Sequence, residues 1–148
     1  MAGLFFTVRV ERTPAADPET LIQVVAPTNH RVVVRRIRVG GQGSTPATSP
    51  VFLYWQIQTS AGNSSSLTPI KYKAGDNETI QSTALKTFTG EPSTGDSIAD
   101  VGNLHEQGQI DLFLPEHERI EIPGGTRGGL VVSRSTFSLL NVWILCEE

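Results

Sequence analysis

Three histidines, a single cysteine and one glycine-rich run are the residues of this 148-residue chain whose chemistry would be easiest to recognise. His105 and His117 stand among Glu106, Glu116 and Glu118, a histidine and carboxylate set of the kind that ligates a divalent ion. No pair of histidines, His30 included, has the i, i+2 spacing of a strand face or the i, i+4 spacing of a helix face that would aim two ligands at one ion, so no metal is expected. Serines are plentiful, but there is no G-x-S-x-G elbow to hold one as a nucleophile. Cys146 lies in an apolar run near the C-terminal end, where a thiol acts as a small inert hydrophobe, and a lone cysteine excludes an intrachain disulfide. The run Pro123-Gly124-Gly125-Thr126-Arg127-Gly128-Gly129 resembles a phosphate cradle. It lacks the Lys-Ser/Thr ending and leads into Leu130-Val131-Val132 rather than a helix, so it reads as a hairpin or bulge. The carboxylates cluster in turn-rich sequence, with no apolar pocket signature that would split the acidities of a catalytic pair. Neither an enzyme nor a cofactor nor a small-molecule substrate is expected from these residues.

The elements that would carry such groups are strands. No window longer than ten residues keeps a helical apolar period free of Gly and Pro, whereas nine segments read as β: Leu4 to Val10, Leu21 to Ala26, Arg31 to Val39, Val51 to Gln58, Thr79 to Thr87, Gln109 to Leu114, Arg119 to Ile122, Gly129 to Ser133 and Phe137 to Cys146. Gly, Pro, Ser and Asn fill the gaps, notably 62–69 and 90–102, which read as loops. A sandwich or barrel follows. The length fits one domain, 1–148, with 1–20 as an N-terminal arm and first strand and 21–148 as the core. The first ten residues carry Arg9 within a mixed apolar run, which fits neither a signal peptide nor a membrane span, so a chain soluble where it is made is the expectation.

Alternation assigns faces. Val51, Leu53, Trp55 and Ile57 share one side of their strand, while Phe52, Tyr54, Gln56 and Gln58 share the other, aromatic at first and then polar. The last strand is apolar on both sides: Phe137, Leu139, Trp143 and Leu145 on one, interrupted by Asn141, and Leu140, Val142, Ile144 and Cys146 on the other. One sandwich needs a single dry face per strand, so the second must be covered, by another subunit or by a long loop. A homo-oligomer is the preferred expectation, with Leu140, Val142 and Ile144 in its seam and Tyr54 nearby.

Charge is segregated along the chain. Residues 1–40 carry six Arg against three acids, and residues 91–125 carry eight acids against Arg119 alone. Arg31, Arg35, Arg36 and Arg38 fall in one strand, with Arg36 and Arg38 on one face. They are either paired within the chain or aimed at an acidic partner, where charge would supply orientation and on-rate. A net charge of −3 without aromatic interleaving argues against nucleic acid.

The order of several phrases resembles small proteins encoded among the structural genes of tailed bacteriophages: LIQVVAPTNHRVVV (Leu21 to Val34), SLTPIKY (Ser66 to Tyr72), FTGEPSTGD (Phe88 to Asp96), LHEQGQ (Leu104 to Gln109), ERIEIPGGTRGGLVV (Glu118 to Val132) and NVWILCEE (Asn141 to Glu148). The likeness covers most of the chain from Leu21 onward. It departs at Glu106, where the family tends to have Pro, and the Leu4 to Arg12 extension does not align with it. What it implies is an all-β jelly-roll sandwich similar to the tumour necrosis factor-like fold. It also implies a role like that of capsid decoration proteins, trimers that clamp coat subunits on the outside of a phage head.

The resulting expectation is a homotrimer on the exterior of the virion, made in the bacterial cytoplasm, whose partner is the phage major capsid protein and which binds neither nucleic acid nor membrane. Arg9, Arg12, Arg31, Arg36 and Arg38 are the expected capsid contacts, with the N-terminal arm able to add to a neighbouring sheet edge. A carbohydrate- or receptor-binding jelly-roll module of the phage tail is the alternative, favoured if Tyr72 or Trp55 lies exposed beside the Gly62 to Ser66 loop. A cupin-like enzyme would need clustered histidines that this chain lacks.

Overall fold

Strands form where Val, Ile, Thr and aromatic residues recur, because branched and planar side chains pack well on a pleated surface. The computed structural model describes residues 3–43, 51–105, 107–133 and 139–148. In chain order the strands are β1 (Phe5–Arg12), β2 (Glu19–Val25), β3 (Val32–Gly41), β4 (Val51–Gln58), β5 (Asn63–Leu67), β6 (Ile70–Lys71), β7 (Thr83–Gly90), β8 (Thr94–Leu104), β9 (Gln109–Phe113), β10 (Ile120–Ile122), β11 (Arg127–Ser133) and β12 (Leu140–Glu147). They make two antiparallel sheets. The first runs β10-β3-β12-β1-β6, with β9 beside β10 on the same edge of β3; the second runs β5-β7-β2-β11-β4-β8. The protein is an all-β sandwich, as its periodicity indicates.

Each sheet turns one dry face inward. The first contributes Phe6, Val8, Val10, Val34, Ile37, Val39, Leu140, Val142, Ile144 and Cys146, and the second Ile22, Val24, Leu53, Trp55, Leu130 and Val132, all in one continuous core. β1 is therefore no arm. It lies between β12 and β6, pairing with β12 along its whole length from Phe5↔Glu147 to Arg12↔Leu140. Its last inward side chain, Arg12, closes one end of the sandwich on the buried Glu19, with two hydrogen bonds of 3.0 Å. That contact raises the affinity of the guanidinium for its proton.

Three strands occupy segments that read as loops or fall between the expected strands. β5 is polar (NSSSL), β6 has two residues, and β8 is rich in Gly, Ser and Asp. All three lie at sheet edges, where a strand needs no alternating apolar side to be held in place. The Phe137 end of the expected last strand lies outside the described residues.

The glycine run at 124–129 turns out of the β10–β11 connection, with Gly125 at φ 76°, and enters β11. Within β11, glycine makes room for neighbours. A Cβ on Gly128 would lie 2.6 Å from the Trp55 indole nitrogen, and one on Gly129 2.3 Å from the Gln58 amide oxygen. Trp55 is buried on every side, so Gly128→Ala is expected to destabilise the fold by about 1–3 kcal/mol through overpacking. A thermal melt checks this.

Opposite Gly129, the outer face of the second sheet carries buried polar groups in a connected set. The Gln23 amide donates to Gln58 Oε1 (2.7 Å) and the Ser60 carbonyl (2.9 Å), the Gln58 amide donates to the Thr20 hydroxyl (2.8 Å), and that hydroxyl donates to Glu91 (2.6 Å). Arg127 completes it by donating to Gln23 Oε1 at 3.0 Å. Each group has a partner, which is the condition for burying amides without penalty.

Candidate functional site

Among the described residues no three His, Cys, Asp or Glu side chains are grouped so that they could hold a metal ion. His117 lies in a 3₁₀ turn, Glu116–Glu118, and Glu106 lies outside the described residues. Cys146 is buried, and desolvation, helped by the charge of Glu148, pushes its thiol well above the ordinary range and keeps it protonated. No helix among the described residues is long and apolar enough to cross a membrane.

The seam expected at Leu140, Val142 and Ile144 is overturned. All three are fully buried and point into the chain's own core, so no second copy is needed to cover them and none could reach them. The unbroken aliphatic side of β12 is the one the sandwich takes for its core, because the other side is interrupted by Asn141 and Glu147. Tyr54 is not near them either: it lies on the outer face of the second sheet, in register with Val131, and packs its ring 6.0 Å from that of Phe52.

The water-facing side of β12 is where the apolar excess collects. Residues opposite one another in an antiparallel ladder share a face. The pairings set Phe113, Arg36, Leu145, Thr7 and Ile70 in one row across five strands of the first sheet, and Asp111, Arg38, Trp143 and Arg9 in the next. Four inter-strand steps span about 19 Å. Phe113 and Ile70 at the two ends are 62% and 67% exposed, while Leu145 and Trp143 between them are half-buried. Tyr72, 56% exposed, meets Trp143 edge to face with ring centroids 6.4 Å apart, and the Arg38 guanidinium lies 5.2 Å from the Trp143 ring on its other flank. Arg36, Arg38 and Thr7 are interleaved among these apolar side chains, which makes a mixed surface of aromatic, aliphatic and arginine groups, the residue types enriched at protein interfaces.

The arginines resolve as a paired set. Arg36 makes a two-pronged contact to Asp111 (2.8 and 2.7 Å), Arg38 reaches the same carboxylate at 3.5 Å, Arg31 meets Glu121 at 3.3 Å, Arg35 bonds Glu147, and Arg9 meets Glu11 at 3.1 Å. With Arg12 on Glu19, every arginine expected at a coat surface has its charge met by a carboxylate of its own chain. The opposite signs of the N-terminal and 91–125 segments thus serve the fold, through Asp111 on β9 and Glu121 on β10 against β3.

Asp111 is held below the usual carboxylate range, first by its hydrogen bond from Arg36 and then by the charges of Arg36 and Arg38. A depressed folded-state pKa adds stability above the unfolded value, near 4 for aspartate, and that stability disappears as pH falls through the folded value. Asp111→Asn is therefore expected to lower the melting temperature slightly at neutral pH, and the gap to the parent should close below about pH 4. Melts across that range check it.

Of the two aromatics expected beside a sugar-binding loop, Trp55 is buried in the core and Tyr72 is exposed and packs on Trp143 of the first sheet, while residues 63–66 form part of β5 in the second sheet and are not a loop. No family model, curated protein or solved structure matches the chain.

Proposed function

We propose that this chain is a non-enzymatic structural protein of a tailed-phage head, a jelly-roll homotrimer that binds the outer surface of the capsid and stabilises it by bridging coat subunits. The phrase order from Leu21 to Glu148 supports the family reading. The jelly-roll reading is supported by the way successive strands cross between sheets: β3 with β12 and β9 in one, β4 with β11 and β8 in the other. The observation that carries the assembly is the gathering of Phe113, Leu145, Ile70, Trp143 and Tyr72 on one outer sheet face, with Arg36, Arg38 and Thr7 among them. The trimer seam belongs on that face. Binding only the assembled shell would stabilise it by mass action, and three-fold attachment adds avidity.

Co-sedimentation with empty heads, expanded against unexpanded, tests the role. The chain should pellet with expanded heads and raise their resistance to heat or chelation. If it stays in the supernatant with both, the decoration role falls.

A further inference from the structure

We infer that the groove between β4 and β8, on the outer face of the second sheet, docks a cationic, extended segment of a partner protein. The groove measures about 340 Å³ and is lined by Phe52, Tyr54, Ser97, Ile98, Ala99 and Asp100. Phe52 and Ile98, 40% and 46% exposed, are its apolar walls, and no lysine or arginine lines it. Tyr54 is opposite Asp100 on β8 and opposite Val131 on β11, which is in turn opposite Thr20 on β2. Beyond Val131 the Glu91 carboxylate is fixed on the backbone N–H and hydroxyl of Thr20. Burial raises the pKa of the Tyr54 phenol above its ordinary value, and both charges that act on it, Glu91 and Asp17, are negative and push it the same way.

An aromatic pair beside the exposed Asp100 carboxylate, with the Glu91 charge two strands further across the same face, recognises an ammonium or guanidinium by charge and by its π faces, and repels phosphate. Among the described residues β8 is also an edge strand of its sheet, so the ligand can lie alongside it. Three register shifts against β4 break the regular ladder, and Ile98 sits in one of them, which disfavours simple strand addition and leaves recognition to side chains. This deepens the proposed function, on which only the identity of the partner rests: the coat segment that meets this groove would be basic, the opposite of the sign that an arginine-rich contact strand calls for.

The probe is a heptapeptide of alternating lysine and valine, titrated into the full chain by NMR, with the glutamate and valine counterpart as control. Shifts confined to Phe52, Tyr54, Ile98 and Asp100, loss of at least about tenfold in affinity on Asp100→Lys, and no binding of the control are expected. Asp100 is exposed, and an unchanged melting temperature of the variant, with Asp100→Asn as a milder second variant, shows that the fold is intact. Shifts spread over the surface, or an affinity for Asp100→Lys within about twofold of the parent, overturn the inference. A peptide that binds in the groove of a chain that ignores phage heads leaves the groove standing and removes the head reading; heads that bind a chain with no peptide site do the reverse.

Discussion

Ile144→Asp unfolds the chain instead of dissociating it. Ile144 lies at the centre of β12, opposite Val8 on β1 and Ile37 on β3, and both neighbours are fully buried with it. A carboxylate there has no partner and no water. The cost exceeds about 4–5 kcal/mol, the range reserved for an unpaired charge in a core, against a total stability of about 5–15 kcal/mol for a domain of this size. Ile144→Ala is the graded version and should cost about 2–5 kcal/mol, by lost transfer energy and the cavity left behind. Denaturant titration with circular dichroism measures both. A folded Ile144→Asp chain of reduced mass would instead restore the seam to the inward side of β12.

The second large effect lies on the opposite side of the same strand. Leu145→Glu is expected to leave the sandwich folded and reduce the assembly to single chains. Leu145 is half-buried, sits between Arg36 and Thr7 in its row, and contributes nothing to the core between the sheets. In an assembly sealed on this face, the new carboxylate would be buried opposite an Arg36 whose guanidinium Asp111 already holds, and burying a charge without a partner of its own costs several kcal/mol. Phe113→Glu is the control on folding, because a side chain 62% exposed on β9 has little to lose within the monomer. Light scattering on both variants, beside their melts, reads mass and fold separately. Retained mass for both would take the first sheet's outer face out of the seam.

Much of this fold is legible in the residues. The β-branched runs of β2, β3, β11 and β12 announce strands, and the opposite charges of the 1–40 and 91–125 segments do come together, Arg36 on Asp111 and Arg31 on Glu121. Two things are hidden, each for a physical reason. The edge strands β5 and β8 carry Ser, Asn, Asp and Gly, because a strand bonded on one side and facing water on the other needs no apolar alternation. In β12, parity separates Leu140, Val142 and Ile144 from Trp143 and Leu145, but period two assigns no side to the core. The signal that decides it is the interruption by Asn141 and Glu147, which an enclosed face does not tolerate. Tyr54 is singled out by the sequence for an interface, and what its neighbours in space add is their sign: Asp100 from β8, and Glu91 and Asp17 from segments distant in the chain.

The surface that stays apolar after the core is complete is the centre of the account, and the mass of the native chain in solution reads its consequence most directly. Multi-angle light scattering at micromolar concentration should return about three times 16.0 kDa. A sharp, concentration-independent 16.0 kDa species would mean that Trp143, Leu145, Tyr72 and Phe113 face water in the native state, and self-assembly through the first sheet would be wrong.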